Sequence, residues 1–270
     1  MPTLPRALAL SLPLPAILIA LSGCARQPVV APAVSSAPPQ PQLESLTLAP
    51  STIHDPHIPH PELRQQSPID LPAYTPAKTS DGRVALHYHA TAEHLTHKDH
   101  TIELEVDPGN DIEFDGHTYS LDQLHFHTPS EHLVAHQRFP VEAHFVHRDQ
   151  NGKLLVLGVL FDVGATNSFI ERILSDAPRD IGHIDLDRSI NLDEILPSKK
   201  HVYTYKGSLT TPPYSEDVQW LVLSEHPSVS PEQVVRLLVL EGGNARAVQP
   251  RNERVVESAT VGDDSVSANR

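Results

Sequence analysis

Residues 123–127 read QLHFH, an alternation of polar and apolar side chains that is typical of a β-strand. In a strand, side chains two residues apart lie on the same face of the sheet, with Cα atoms about 6.6 Å apart. His125 and His127 would therefore lie side by side, where both imidazoles can reach one zinc ion at about 2.0–2.1 Å. The segment thus predicts a strand and two ligands of a metal site.

A second strand-like segment supplies candidates for a third ligand. Residues 141–147 read VEAHFVH, so that Glu142 and His144 share one face of the strand and His147 lies on the other. Three neutral histidines leave the fourth position of a tetrahedral zinc ion open, which marks a catalytic rather than a structural site. If the two segments are neighbouring strands, they carry a catalytic metal centre.

Spacing alone does not decide which histidines bind metal, because the sequence contains 18 of them. His87 and His89 are also two residues apart and form a second candidate pair. His54, His57 and His60 lie in a proline-broken segment, where a polyproline II conformation would separate neighbours by about 9 Å. That distance is too large for one tetrahedral ion, so we interpret these three as linker histidines.

Short apolar or alternating segments, several of them separated by turn signals, predict a β-rich domain. They comprise residues 83–89, 101–106, 123–127, 141–147, 154–161 and 219–223. Asn151-Gly152 between two of these segments indicates a hairpin. Helical patterns are confined to residues 166–175 and 230–240, the latter with Ser230 as N-cap and Pro231 at the first helical position. The fold class is therefore mainly β (α+β), a single domain with short peripheral helices.

The first part of the chain is predicted to lie outside that domain. Arg6 precedes an apolar run over residues 7–21, which is too short for a transmembrane helix of about 20 apolar residues but fits a signal-peptide core. The run ends in Leu-Ser-Gly-Cys, similar to a bacterial lipobox, so residues 1–23 are predicted to be a lipoprotein signal peptide and Cys24 the acylated residue. An ordinary signal peptide that happens to contain a cysteine is the alternative.

Two further segments complete the predicted organisation. Residues 24–62 are rich in Pro, Ala, Ser and Gln and lack apolar periodicity, which indicates a tether. The domain then spans residues 63–256, and the polar residues 257–270 are expected to form a frayed tail. A lipid-anchored tether predicts an exported protein of the periplasm or cell envelope, whose membrane contact is the N-terminal anchor alone.

Composition bears on the class of partner. The chain has 34 Asp and Glu against 20 Lys and Arg, a formal net charge of -14, and no block rich in Lys or Arg. A nucleic-acid partner is not expected, because phosphate binding needs concentrated positive charge. The single cysteine leaves no intrachain disulfide. The sequence leaves the oligomeric state open.

The domain carries a series of motifs in the order found in the α-carbonic anhydrases, and it resembles that family from about residue 61 to residue 256. The motifs are residues 66–70 (QSPID), 99–102 (DHTI), 124–132 (LHFHTPSEH), 142–147 (EAHFVH), 205–213 (YKGSLTTPP) and 243–250 (GNARAVQP). The resemblance implies a large, mostly antiparallel, twisted sheet with short helices outside it. It also implies reversible hydration of carbon dioxide to bicarbonate and a proton by zinc-bound hydroxide.

The same resemblance implies roles for individual residues. The implied zinc ligands are His125, His127 and His144, and the groups that orient them are Gln123, Glu142 and the backbone carbonyl of Asn244. Thr210 would accept a hydrogen bond from the hydroxide and donate one to Glu131, and His100 stands at the family's proton-shuttle position. The implied carbon dioxide pocket is lined by Val146, Val156, Leu209, Val218 and Trp220.

The sequence also departs from the family. No Trp or Tyr lies between Cys24 and Gln66, where the family places an aromatic segment, and Lys98 and Glu103 stand where Asn or Gln is common. Tyr214 replaces a cysteine that forms a disulfide in many bacterial relatives. The alternative function is a non-catalytic zinc-binding lipoprotein of the cell envelope on the same fold. A carbohydrate-binding or adhesion module is a third reading, although such a module needs no convergent histidines.

Overall fold

The computed structural model describes a large part of the chain, residues 63–73, 83–91, 93–187, 189–198 and 201–262. The predicted signal peptide, Cys24, the tether with its linker histidines, and residues 263–270 of the predicted tail lie outside the described residues. Within the described ranges, no helix has the length and apolar character needed to cross a membrane.

Strands dominate the described residues, as the sequence predicts. In chain order they are β1 (Asp70–Leu71), β2 (Val84–His87), β3 (Ala90–Thr91), β4 (Glu93–Lys98), β5 (Thr101–Val106), β6 (Asp111–Phe114), β7 (His117–His127), β8 (Leu133–Val134), β9 (Gln137–Arg138), β10 (Val141–Arg148), β11 (Leu154–Val163), β12 (Gly182–Asp185), β13 (Ile190–Asn191), β14 (His201–Ser208), β15 (Glu216–Leu223), β16 (Ser228–Val229) and β17 (Glu257–Thr260). They are accompanied by α1 (Ser168–Asp176), α2 (Pro231–Glu241) and a 3-10 helix (Leu192–Ile195). The predicted mainly β fold is confirmed.

One sheet connects 12 of the described strands. Its main path runs β12-β4-β5-β7-β10-β11-β15-β14-β17, and β6, β2 and β16 are attached at its sides. Its pairs are antiparallel except that β11 runs parallel to β15 and to β16, so the sheet is mixed but mostly antiparallel, as expected. The turn at Asn151-Gly152 joins β10 to the antiparallel β11, which is the predicted hairpin.

Alternation along β7 and β10 separates the two faces of the sheet. One face carries Leu124, Phe126 and Phe145, which are buried in a large apolar cluster together with side chains of α1. The other face carries His125, His127 and His144, beside a smaller apolar cluster that includes Val156 and Trp220. The sequence pattern therefore places the histidines on the face away from α1.

Both helices begin at capping residues. Asn167 caps α1 by accepting hydrogen bonds from two backbone N–H groups of the first turn. Ser230 and Gln233 form a capping box at α2, with Pro231 at the first helical position as the sequence predicts. These local signals fix where the helices start, because they satisfy N–H groups that have no partner within the helix.

The prediction that the domain ends at Val256 is wrong. The next residues form β17, which pairs with β14 at the end of the sheet. Ala259 is buried, and Val261 forms a parallel bridge with Val84. The polar composition of this segment hides an edge strand, because only Ala259 in the strand and Val261 directly after it pack into the core.

Gly207 of β14 allows the side chains of Ser67, Tyr205 and Trp220 to pack directly against its backbone. A Cβ atom at this position would collide with Ser67 Oγ and lie 2.8 Å from Trp220 Cδ1 and 2.9 Å from Tyr205 Cε2. The Ser67 hydroxyl accepts from the N–H of Ser208 at 3.1 Å and lies 2.9 Å from the Tyr205 hydroxyl. It therefore cannot turn away without losing these bonds, and only glycine fits.

We expect Gly207→Ala to lower the free energy of unfolding by about 1–3 kcal/mol, the usual cost of forcing an extra carbon into a packed interior. Urea unfolding followed by tryptophan fluorescence measures this change. Gly182→Ala is the matched control, because the nearest atom to its added Cβ is a backbone oxygen at 3.9 Å. It should change stability by less than about 0.5 kcal/mol. Equal stability of the two variants would contradict the close packing around Gly207.

Candidate metal centre

Three histidines converge on the face of the sheet away from α1. His125 and His127 extend from β7, and His144 extends from β10 opposite His125 in the antiparallel register. The ring centroids are 5.0 Å apart for His125 and His127, 5.3 Å for His125 and His144, and 4.5 Å for His127 and His144. One ring nitrogen of each residue lies within 4.8 Å of the others, so the three could hold one metal ion.

Other histidines that the sequence left as candidates do not join this group in the described part of the chain. His87 of β2 places its Nδ1 2.7 Å from the carboxylate of Asp111, and His89 lies in the exposed segment that follows β2. His147 lies on the opposite face of β10, as predicted, with its Nε2 2.8 Å from the Tyr88 hydroxyl. The fold thus selects one of the two candidate pairs.

Two of the converging rings are oriented by oxygen acceptors. His125 Nδ1 lies 2.8 Å from Gln123 Oε1, and His127 Nδ1 lies 3.2 Å from the backbone oxygen of Asn244. A proton on each Nδ1 satisfies these contacts and leaves both Nε2 atoms, which are 3.1 Å apart, available to a metal. Burial lowers the pKa of both imidazoles, to about 4 for His127. Both rings are therefore neutral at neutral pH, as metal ligands must be.

Glu142 orients the third ring from the same strand. Its Oε1 accepts from His144 Nε2 at 2.9 Å and from His132 Nδ1 at 2.7 Å. Its Oε2 accepts from the backbone N–H groups of Glu131 and His132, each at 2.8 Å. Burial alone would raise the pKa of Glu142, but the two imidazoles beside it hold that pKa well below its usual value. An ionised Glu142 leaves His144 Nδ1 available to the metal.

His132 belongs to the site, although the sequence did not assign it a role. Its Nε2 lies 2.6 Å from the Tyr205 hydroxyl, which in turn lies 2.9 Å from Ser67 Oγ. These contacts tie Glu142 of β10 to β14 and to the segment that precedes β1. The sequence does contain one indication that His132 belongs to the site, since it directly follows Glu131 in the motif of residues 124–132.

Glu131 is fully buried beside the histidines. Its Oε1 accepts from the backbone N–H of Arg246 at 2.7 Å, and its Oε2 lies 4.0 Å from His144 Nδ1. Burial raises the pKa of Glu131 to about 7, opposed by the nearby His144, the Arg246 N–H and the Thr210 hydroxyl. No described group makes a hydrogen bond of standard geometry to Oε2. The structure thus brings the predicted Thr210 and Glu131 together.

A pocket of about 210 Å³ opens above the three histidines. Its wall includes four of the five predicted apolar residues: Val146, Val156, Leu209 and Trp220. The fifth, Val218, is buried behind the wall in the smaller apolar cluster, together with Trp220 and Val156. Side chains that point toward the same face of a strand lie at different depths, which the sequence does not show.

An ion pair lies in the wall of this pocket. Lys98 Nζ is 2.6 Å from Glu103 Oε1, and Glu103 stands opposite His125 in the register of β5 and β7. The Glu103 side chain is 16% exposed and that of Lys98 is 52% exposed, so the pair reaches from the pocket wall to the solvent. Lys98 and Glu103, which both depart from the residues common in the family, therefore form one structural feature.

His100 lies at the rim and not in the pocket wall. It occupies the turn between β4 and β5, its side chain is 74% exposed, and its Nε2 is 3.4 Å from Asp99 Oδ2. Its neighbour Thr101 does line the pocket. The structure thus places the predicted shuttle residue next to the pocket but outside the group of converging side chains.

The chain is similar to known proteins of one enzyme family over most of the described residues. The sequence profile of the eukaryotic-type carbonic anhydrases matches residues 50–260. The carbonic anhydrase of Neisseria gonorrhoeae is 36% identical over 198 residues, which cover 72% of this chain and 77% of that protein. The α-carbonic anhydrase of Photobacterium profundum superposes with a TM-score of 0.68 at 36% identity, covering 73% of this chain and 90% of that one.

A further solved structure gives the same result. The α-carbonic anhydrase of Thermovibrio ammonificans, in complex with the inhibitor sulfanilamide, superposes with a TM-score of 0.68 at 39% identity. The match covers 72% of this chain and 87% of that one. The profile spans most of the described residues, and these three relatives are all named carbonic anhydrases. Sequence, fold and histidine cluster therefore agree that the chain belongs to the α-carbonic anhydrase family of enzymes.

Proposed function

We propose that the chain catalyses the zinc-dependent, reversible hydration of carbon dioxide to bicarbonate and a proton. The observation that carries this proposal is the convergence of three histidine nitrogens at an open pocket that also has apolar walls. Membership of the carbonic anhydrase family supports the same reaction.

The three histidines fit a zinc ion. Each ring has one nitrogen facing the others, and an acceptor holds its second nitrogen. Three neutral nitrogen ligands would preserve the charge of the ion and leave it accessible from the pocket. When bound, zinc is a Lewis acid that makes a water molecule more acidic, as it does in carbonic anhydrases generally.

The chain's own residues would bind and orient the reactants. Carbon dioxide is small and apolar, which suits the wall formed by Val146, Val156, Leu209 and Trp220. A cation among the histidines would lower the pKa of the nearby Glu131 and keep it ionised. An ionised Glu131 only accepts hydrogen bonds, so the Thr210 proton is directed toward it and a Thr210 lone pair faces the attacking water. That water then keeps a lone pair pointed at the substrate.

We expect one zinc ion per purified chain, and much weaker binding in His144→Ala, because two ligands from a single strand cannot complete the site. Metal analysis after dialysis against a chelator measures both. His87→Ala is the matched control and should retain stoichiometric zinc, since His87 lies outside the converging group. Full zinc content in His144→Ala would contradict the ligand set and make His87 and His89 the next candidates.

We expect Thr210→Ala and Glu131→Ala to retain zinc but to lower the rate of carbon dioxide hydration by about 10²-fold, the usual effect of losing one positioned hydrogen-bonding group. Stopped-flow measurement with a pH indicator gives the rates. Thr118→Ala, at the exposed far end of β7, should match the parent.

Two further outcomes separate the proposed activity from the alternative. Sulfanilamide, which is bound as an inhibitor in the Thermovibrio ammonificans structure, should inhibit the hydration rate. A parent chain that holds zinc but hydrates carbon dioxide no faster than buffer would instead favour the non-catalytic zinc-binding lipoprotein.

His100 is proposed to carry the proton away from the site, on the basis of its position at the pocket rim and the family resemblance. We expect His100→Ala to lower kcat but to leave kcat/KM nearly unchanged, because proton release follows the attack on carbon dioxide. Imidazole buffer should restore part of kcat. His94→Ala, which removes a different exposed histidine, in β4, is the control. If His100→Ala equals the parent in dilute, non-transferring buffer, another group carries the proton, and His97 is tested next.

We infer that the chain is exported and anchored by lipid at Cys24, which is supported by the sequence of residues 1–24 alone. Mass spectrometry of the mature N-terminus should find Cys24 as the first residue, carrying at least two acyl chains, because one chain binds membranes only marginally. Cys24→Ser should abolish acylation and release the protein from the membrane fraction. An unmodified mature chain that begins beyond Cys24 would contradict the inference.

A further inference from the structure

We propose that Glu241, the last residue of α2, is a positioning residue for the proton shuttle, since it fixes the backbone of the turn that carries His100. The inference rests on the proposed function, because it requires carbon dioxide hydration with His100 as the shuttle. It extends that function to a residue far from the metal ligands in sequence.

Glu241 is a buried acid with one specific contact. Its side chain is fully buried, and its Oε1 accepts from the backbone N–H of Ile102 at 2.8 Å. Its Oε2 is buried without a hydrogen-bond partner among the described residues. Burial raises the pKa of Glu241 to about 8, a measure of how poorly the environment suits a charge. Leu237, one turn earlier on α2, is also fully buried, so an apolar residue would suit the packing.

An acid at this place costs stability. A buried polar atom without a hydrogen-bond partner is unfavourable, and the environment of Glu241 offers its Oε2 none among the described residues. Among the described residues, the one hydrogen bond of the Glu241 side chain is the one it accepts from Ile102, which lies at the start of β5 two residues after His100. The geometry therefore connects Glu241 with the His100 turn.

The same end of α2 contacts the turn at two other points. Asn244 Nδ2 donates to the backbone oxygen of His100 at 3.0 Å, so hydrogen bonds hold the chain on both sides of Thr101. Between Glu241 and Asn244, a Cβ added to Gly242 would lie 3.7 Å from His100 Nδ1, so the imidazole lies close to that backbone. Residues 241–244 form a shelf under the turn, which we call the α2 shelf.

The α2 shelf is also attached to a metal ligand. The backbone oxygen of Asn244 accepts from His127 Nδ1 at 3.2 Å, and its side chain donates to the backbone oxygen of Phe126 at 3.0 Å. One short segment therefore sets the separation of the shuttle turn from the metal centre. Since proton transfer depends on the positions of donor and acceptor, a displaced turn should slow proton release and leave the reaction with carbon dioxide intact.

Stopped-flow kinetics on the zinc-loaded full chain test the proposal. Glu241→Gln keeps an oxygen that can accept from Ile102 and should retain the parental kcat. Glu241→Leu removes the acceptor and should lower kcat on the order of tenfold, while kcat/KM stays near the parental value. This loss is smaller than the ~10²-fold or more that a positioned proton-transfer group supplies, because His100 is displaced and not removed. Imidazole buffer should restore kcat. Glu232→Leu, on the exposed first turn of the same helix, is the matched control and should equal the parent.

A double variant distinguishes positioning from general support of the fold. In a His100→Ala background, Glu241→Leu should cause no further loss of kcat, because both changes affect one step. A parental kcat in Glu241→Leu, an equal fall in kcat and kcat/KM, or additive losses in the double variant would each overturn the proposal. If Glu241→Leu fails to retain zinc, Glu241→Asp takes its place with the same outcomes, since its shorter side chain withdraws the acceptor. A parent chain without activity would overturn the proposed function itself.

Discussion

The buried charge of Glu142 is the constraint on which the rest of the site depends. A buried carboxylate is costly unless both oxygens receive hydrogen bonds, and Glu142 receives them from His144, His132 and two consecutive backbone N–H groups. The neighbouring strand leaves room for it, since a Cβ at Gly158 would lie 3.0 Å from Glu142 Oε1. One charge thus fixes the ring of His144, the loop after β7 and a glycine of β11.

That loop in turn brings distant parts of the chain together. Because the backbone of Glu131 is committed to Glu142, its side chain is directed toward the N–H of Arg246 and toward the histidines. The guanidinium of Arg246 donates to Gln66 Oε1 at 3.0 Å and to the backbone oxygen of Ser67 at 2.7 Å. Segments before β1, after β7 and after α2 therefore converge behind the metal centre, which explains why motifs so widely spaced in the sequence belong to one site.

Local signals in the sequence were sufficient for some of this architecture and insufficient for the rest. Alternation along β7 and β10 predicted which histidines share a face, and Ser230 with Pro231 predicted the start of α2, because both depend on neighbouring residues only. The choice between His125 and His87 depended on which strands pair, so it needed the family resemblance. The depth of Val218 and the role of His132 depend on contacts across the sheet, and the edge strand β17 lacks the apolar content that would reveal it.

The strand β17 has a consequence for how the protein tolerates proteolysis. It supplies the last partner to β14 in the described sheet, and Arg83 holds it with a hydrogen bond of 2.8 Å to Glu257. Loss of residues after Val256 would leave a row of unpaired N–H and C=O groups along β14, and such an exposed edge is a template for intermolecular strand pairing. Trimming of the polar C-terminus would thus convert a paired strand into an exposed aggregation surface while leaving His125, His127 and His144 in place.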